Sequence, residues 1–218
     1  GDDVTSRLTI PEDRIGVGTL LQKEVGIVCG LPIVESICAI YDERLRVEQI
    51  PGFHMEIIEG RFSDARVTPL LRVRGPMRSL LAAERVILNF LQRMSGVATL
   101  TQRYVRRIAG TSAKIYDTRK TIPGFRALDK YAVRAGGGFN HRLGLYDGLL
   151  VKDNPLAAYP IIDLAARLQP IINQCRSEDP RRLVEIEVDT LEPLREVLKI
   201  DGEGVILLDN MDCPNMEI

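Results

Sequence analysis

The 218-residue chain has no tryptophan, and its aromatics are five Phe and six Tyr. It has no run of about 18 apolar residues, so no membrane-spanning helix is expected. The opening Gly-Asp-Asp-Val-Thr-Ser lacks the basic and apolar regions of a signal peptide, so none is expected. No Cys-x-x-Cys pair occurs among Cys29, Cys38, Cys175 and Cys213, which read as reduced structural thiols of a cytoplasmic protein. Acidic residues are scarce in one place. From Arg61 to Lys152 there are 18 Lys/Arg against 5 Asp/Glu, a net of +13, whereas the rest of the chain is −14. A basic middle third implies an anionic ligand. Nucleic acid is excluded as that ligand, because Phe62, Phe90, Tyr104, Tyr116, Phe125, Tyr131, Phe139 and Tyr146 form no stacking platform.

The chain is long enough for one large domain or two small ones. Asp3 to Pro11 reads as a turn and capped opening segment. Leu20 to Cys29 reads as an apolar strand ended by Gly30, and Pro32 then suits the first turn of a helix running to Tyr41. Arg44–Ile50, Met55–Ile58 and Thr68–Val73 are strand candidates punctuated by Gly52, Gly60 and Gly75-Pro76. Ser79 to Ile108 is the longest helical pattern. Leu80, Ala83, Ile87, Phe90, Met94, Val97, Thr101, Val105 and Ile108 advance by three or four and predict one buried stripe. Gly96 marks a kink or a close helix contact within it, and Gly110 a stop.

Beyond Gly110 strands and helices alternate: strands at Lys114–Asp117, Gly148–Val151, Leu183–Val188 and Val205–Leu208, helices at Ala127–Ala135, Ile161–Cys175 and Leu191–Ile200. This predicts a parallel sheet with right-handed crossovers. The domains are placed at 1–110 and 111–218. In a barrel of this kind, polar residues past the strand ends face the active site. Each predicted strand ends in such residues: Asp117/Arg119/Lys120, Lys152/Asp153/Asn154, Glu187/Asp189 and Asp209/Asn210. Gly136–Gly138 reads either as a helix cap or as an anion cradle of backbone N–H groups. Asp129 and Asp147 read as surface or structural residues. A purely structural alternative for Arg119 is an ion pair to Asp117 or Glu187.

These residues carry a resemblance. The segments A-E-R-V-I-L-N-F-L-Q-R-M-S-G-V-A-T-L-T, D-T-R-K-T-I-P-G-F-R, K-Y-A-V-R-A-G-G-G-F-N-H-R-L-G-L-Y-D, K-D-N, V-E-I-E-V-D-T-L and I-L-L-D-N-M, after an initial G-D-D-V-T-S, resemble the quinolinate phosphoribosyltransferases in order and across essentially the whole chain. The resemblance implies an α/β fold with an N-terminal α/β sandwich followed by an incomplete α/β-barrel of parallel strands. It also implies a homodimer whose site is shared between subunits. Two features depart from the family pattern: Pro155 stands where a His normally follows K-D-N, and the chain stops at Ile218, before the family's further β-α units and Gly-rich phosphate-binding part.

The implied reaction joins quinolinate to phosphoribosyl pyrophosphate (PRPP), giving nicotinate mononucleotide, pyrophosphate and carbon dioxide. By motif match, Arg119, Arg142 and Lys152 hold the two carboxylates with His141 beside them, and Arg85 reaches in from the neighbouring subunit. Lys120 contacts the ribose-phosphate side, and Lys120, His141, Glu187 and Asp209 form the catalytic set. Glu187 and Asp209 are the matched pair for Mg2+, which takes oxygen ligands and usually only one or two carboxylates. Alternation puts Glu185 on the same strand face as Glu187, so either carboxylate is placed to serve the metal, and the motif favours Glu187. Two other readings differ in class: a Schiff-base aldolase acting through Lys152, and a non-catalytic relative that binds a pyridine or phosphate ligand.

Overall fold

The computed structural model of the chain describes residues 3–51, 59–64, 67–152, 159–202 and 204–216. The strand expected at Met55–Ile58, and Asp153, Asn154 and Pro155, lie outside the described residues. Two compact units divide the chain, Gly1–His141 and Arg142–Ile218.

The first unit opens with α1 (Val4–Thr9), whose N-terminus is capped by the Asp3 carboxylate accepting from the Ser6 N–H at 3.1 Å. The expected turn is therefore a short capped helix. Then come β1 (Ile15–Gln22), β2 (Gly26–Ile27), α2 (Leu31–Tyr41), β3 (Arg46–Gln49), β4 (Phe62–Ser63), β5 (Thr68–Pro76), α3 (Met77–Arg107) and α4 (Arg126–Ala135). Strands β1, β5 and β3 form an antiparallel sheet with β5 in the centre, while β2 and β4 form a separate two-residue ladder.

The strand expected at Leu20–Cys29 is split. Its first part belongs to β1, which begins earlier at Ile15, and Gly26–Ile27 pairs with β4. The Ile27 N–H donates to Thr99 Oγ1 at 2.8 Å and the Cys29 N–H to Ser95 Oγ at 3.0 Å, so this segment lies along α3. Ser95 and Thr99 are four apart and share a helix face.

Helix α3 buries Ala83, Ile87, Leu91, Met94, Ala98 and Thr101. The expected stripe is there, but its centre lies one residue on at Leu91 and Ala98, with Phe90 and Val97 at its flank. Together with α2 and β5 it encloses Val28, Leu31, Val34, Ile37, Cys38, Leu45, Leu70, Leu71 and Val73. Burying one such aliphatic side chain contributes about 1.5–3 kcal/mol. Gly96 causes no break in α3, and a Cβ there would meet nothing within 4 Å. The expected close helix contact is not made at that glycine among the described residues.

Asp42 ties the end of α2 to the start of α3. Its carboxylate accepts from the Arg44 N–H (2.9 Å), Nε (3.0 Å) and Nη2 (2.8 Å), and from Ser79 Oγ (2.6 Å). The Arg44 hydrogen bonds, then that of Ser79, hold its pKa far below the usual carboxylate range. A depressed carboxylate contributes stability that is present above the unfolded value of about 3.9 and is lost as pH falls through the folded one. Asp42→Asn is expected to cost about 1 kcal/mol at pH 7. It should also flatten the fall in stability below about pH 4, read as urea unfolding free energies at neutral and acid pH.

In the second unit, β6 (Gly148–Val151), a 3-10 turn (Ile161–Asp163), α5 (Leu164–Glu178), β7 (Leu183–Val188), α6 (Leu191–Val197), β8 (Val205–Leu208) and α7 (Cys213–Met216) follow in order. The three strands form a parallel sheet in sequential order, β6-β7-β8. Sequential order is the winding of a barrel wall, and all three strands have the expected bounds. Val151, Val184, Ile186 and Val188 are buried with Leu164, Leu168 and Ile172 of α5 and Val197 of α6. The helices thus cover one sheet face, and alternation sends Leu150, Glu185, Glu187 and Leu207 to the other. Residues 114–117, expected as a fourth strand, make only an isolated parallel bridge, Tyr116 to Phe139, within the first unit.

Candidate functional site

In the first unit the segment after Tyr116 is pinned by backbone and side-chain bonds. The Asp117 N–H donates to the Phe139 carbonyl at 3.0 Å, and the Phe139 N–H to that of Ile115 at 2.8 Å. Lys120 is exposed, and its N–H donates to Thr118 Oγ1 at 3.1 Å. The Thr121 N–H and Arg126 Nη2 both donate to the Arg119 carbonyl, at 3.0 and 3.5 Å.

The Arg119 side chain is half-buried, and its Nε is fully covered with no hydrogen-bond partner among the described residues. A covered N–H without an acceptor is costly. A bound anion would relieve that cost. Among the described residues of this unit, Asp117, one structural partner open to Arg119, pairs with Lys130 instead.

His141 is half-buried, and both of its backbone groups are anchored. Its N–H donates to Asp117 Oδ1 at 2.9 Å, and its carbonyl accepts from Lys130 Nζ at 2.9 Å. Asp117 is one of the strand-end residues marked by the sequence, but Lys130 is not, although a lysine on the buried stripe of an amphipathic helix is the signal that points to it. Asp129, one residue earlier on α4, is buried and bound through both oxygens to Arg93 of α3, at 3.0 and 2.7 Å. Its role is structural, and it does not lie on the surface.

The Gly136–Gly138 run closes α4. The Gly136 N–H donates to Ala132 O, Gly137 to Arg134 O and Gly138 to Val133 O, at 2.9–3.0 Å. Gly137 takes the left-handed conformation, φ +86°. All three N–H groups are used by the helix end, so the run is a cap and not an anion cradle. Arg85 is exposed on α3.

In the second unit, Lys152, Glu187 and Asp209 stand at the C-terminal ends of β6, β7 and β8. The register pairs Leu150 with Glu185 and Glu187 with Leu207, so Lys152, Glu187 and Asp209 share one face by alternation, opposite the helices. Lys152 Nζ donates to both Glu187 oxygens, at 2.7 and 2.6 Å. The Asp209 N–H continues the ladder to Val188 O at 2.8 Å, and Asp209 Oδ2 accepts from Asn210 Nδ2 at 3.1 Å. Asn210 has φ +52°, a conformation non-glycine residues seldom take and one that Asn tolerates best.

Glu185 is 3% exposed, and Glu187 is the more open of the two strand carboxylates. Arg142 gives one guanidinium N–H to the Gly148 carbonyl at 3.3 Å. Asp147 accepts from the Leu143 and Gly144 N–H groups at 2.5 and 3.1 Å, shaping the turn into β6. No group of three or more His, Cys, Asp or Glu that could hold a metal occurs among the described residues.

In the first unit Arg119 and Lys120 offer cationic donors; in the second, Arg142 and Lys152 do, beside the carboxylates of Glu187, held by Lys152, and of Asp209 at the strand ends. Cations of this kind suit the binding of anions.

Comparison with known proteins gives a consistent result. Residues 3–95 match the profile described as Quinolinate phosphoribosyl transferase, N-terminal domain, and residues 97–218 its C-terminal domain. The chain is 41% identical over 210 residues to nicotinate-nucleotide pyrophosphorylase [carboxylating] of Mycobacterium leprae (strain TN), covering 96% of this chain and 70% of that protein. It is 38% identical to the probable enzyme of the same name from Bacillus subtilis (strain 168), covering 97% of this chain and 68% of that one. The crystal structure of NadC from Streptococcus pyogenes superposes with a TM-score of 0.83 at 34% identity, over 100% of this chain and 72% of that one. The sandwich and barrel-type fold expected from the resemblance agrees with these neighbours.

Proposed function

The chain belongs to the quinolinate phosphoribosyltransferase family, and from that premise we propose that it joins quinolinate to PRPP. The products are nicotinate mononucleotide, pyrophosphate and carbon dioxide, a step of NAD biosynthesis. The observation that carries this reading is Arg119: a half-buried guanidinium on a pinned segment, with a covered N–H that has no acceptor among the described residues. The planar fork of arginine matches a carboxylate in two bonds.

The motif assigns quinolinate's two carboxylates to Arg119, Arg142 and Lys152, with His141 as a further contact and Arg85 reaching a neighbouring subunit of a homodimer. Lys120 serves the ribose-phosphate. In this state Lys152 is bound by Glu187. A substrate carboxylate that takes Lys152 replaces this pair, exchanging one set of charge-assisted hydrogen bonds for another of the same kind.

Glu187, once released, and Asp209 then face PRPP. Two carboxylates are the usual protein share for Mg2+, so the pair fits an ion that arrives with pyrophosphate better than a resident one. Bound there with Glu187 and Asp209, Mg2+ would neutralise charge on the departing pyrophosphate. The ring nitrogen of quinolinate attacks the anomeric carbon as pyrophosphate leaves. The bond to the adjacent carboxylate then breaks, its electron pair is stabilised by the quaternised nitrogen, and a proton from solvent completes the product. The cations hold the ring in line for attack, and the chain forms no covalent bond to substrate. The four thiols are free and three of them are buried, which supports a reducing, cytoplasmic setting.

The test is incubation of the protein with quinolinate, PRPP and Mg2+. Nicotinate mononucleotide and pyrophosphate are expected in equal amounts. Quinolinate binding without either product would favour a non-catalytic relative.

A further inference from the structure

We infer that Lys130 and Asp117 act as a positioning pair for quinolinate binding, an inference that rests on the function proposed above. Their side chains are 3% and 8% exposed, and the Lys130 ammonium donates to Asp117 Oδ1. The same ammonium donates to the His141 carbonyl at 2.9 Å, and the same carboxylate oxygen accepts the His141 N–H at 2.9 Å. Both backbone groups of His141 therefore end on this one ion pair and on no strand ladder. Asp117 is also the residue from which the segment bearing Arg119 departs, and its N–H is fixed on the Phe139 carbonyl at 3.0 Å. The pair thus couples the segment that carries Arg119 to the one that carries His141, although 13 residues separate its members.

A role in stability alone is a poor account of this pair. Buried ion pairs are often replaceable by apolar residues without loss of stability. Asp117 Oδ2 is also covered and has no hydrogen-bond partner among the described residues. A group kept for stability would not leave a buried acceptor unsatisfied, since that costs free energy. Lys130 and Asp117 touch no substrate in this scheme. Their effect on binding runs through the placement of His141 and Arg119.

The test compares the wild type with Lys130→Met, Lys130→Arg and Asp117→Asn in steady-state assays. Hydrogen exchange at the His141 amide is followed in parallel. Folded Lys130→Met is expected to raise the KM for quinolinate at least about tenfold, with the KM for PRPP within about twofold and exchange at His141 accelerated. Lys130→Arg should recover part of the quinolinate effect. Should Lys130→Met fail to fold, Asp117→Asn, which keeps an acceptor for the His141 N–H, must show the same split between substrates. A folded variant with wild-type KM for quinolinate overturns the inference, as does an equal rise in both KM values. A wild type that neither binds nor turns over quinolinate overturns the functional reading itself, and the positioning role falls with it.

Discussion

Arg119→Ala is expected to weaken quinolinate binding by about 100-fold or more. The proposed contact is a two-pronged guanidinium–carboxylate pair. Each charge-assisted bond is worth about 1.5–3 kcal/mol, and about 1.4 kcal/mol is a factor of ten, so two bonds correspond to at least two orders of magnitude. The fold should survive. Among the described residues no hydrogen bond or ion pair ends on the Arg119 side chain; what holds the segment is its backbone carbonyl, which the variant keeps. Calorimetric titration with quinolinate, beside a thermal melt, reads both quantities. Unchanged affinity would remove Arg119 from the site, and a collapsed melt would make it a structural residue.

Gly136→Ala is expected to destabilise the first unit by about 3 kcal/mol, at the upper end of typical overpacking costs. The Gly136 backbone, φ −77° and ψ 0°, suits any residue, so the penalty is steric alone. A Cβ there would lie 2.3 Å from the Ala98 carbonyl oxygen and 2.7 Å from Thr101 Cβ. Ala98 sits in the middle of α3, so its carbonyl cannot yield unless the helix moves. The melting temperature of that unit should fall by roughly 6–12 °C. Gly96→Ala is the contrasting case. That position is open, so the better helix propensity of alanine should stabilise α3 by about 0.5–1 kcal/mol. A Gly136→Ala protein that melts like the wild type would show that α4 does not depend on close contact with α3. Because α4 carries Lys130, such a result would also loosen the argument for how His141 is held.

These two glycines show what sequence can and cannot reveal. Gly96 in the middle of a helical pattern looks like the meaningful glycine, and Gly136 at a helix end looks like an ordinary cap. Space decides otherwise, and space depends on which element lies alongside. The alternation of Leu183–Val188 and the stripe of α3 were legible because burial on one face imposes a period on the sequence. The start of β1 was not. In Ile-Gly-Val-Gly the inward positions Gly16 and Gly18 are empty so that Met77 and Leu80 of α3 can approach, which leaves no apolar alternation to read.

At the site, the ends of the parallel strands were legible, because chain direction alone puts Lys152, Glu187 and Asp209 at the same edge. The pairings between side chains were not. Lys152 with Glu187 and Lys130 with Asp117 join residues 35 and 13 apart, and no local pattern encodes such a choice. Asp117, a possible partner of Arg119 by sequence, is taken by Lys130 instead.

In the proposed reaction, phosphoribosyl transfer is coupled to loss of the carboxylate beside the ring nitrogen. Quinolinate isotopically labelled in that carboxylate tests it most directly. With PRPP and Mg2+ present, labelled carbon dioxide is predicted to appear one-for-one with pyrophosphate, and none should appear when PRPP is omitted. Pyrophosphate without labelled carbon dioxide, or carbon dioxide release independent of PRPP, would contradict the account.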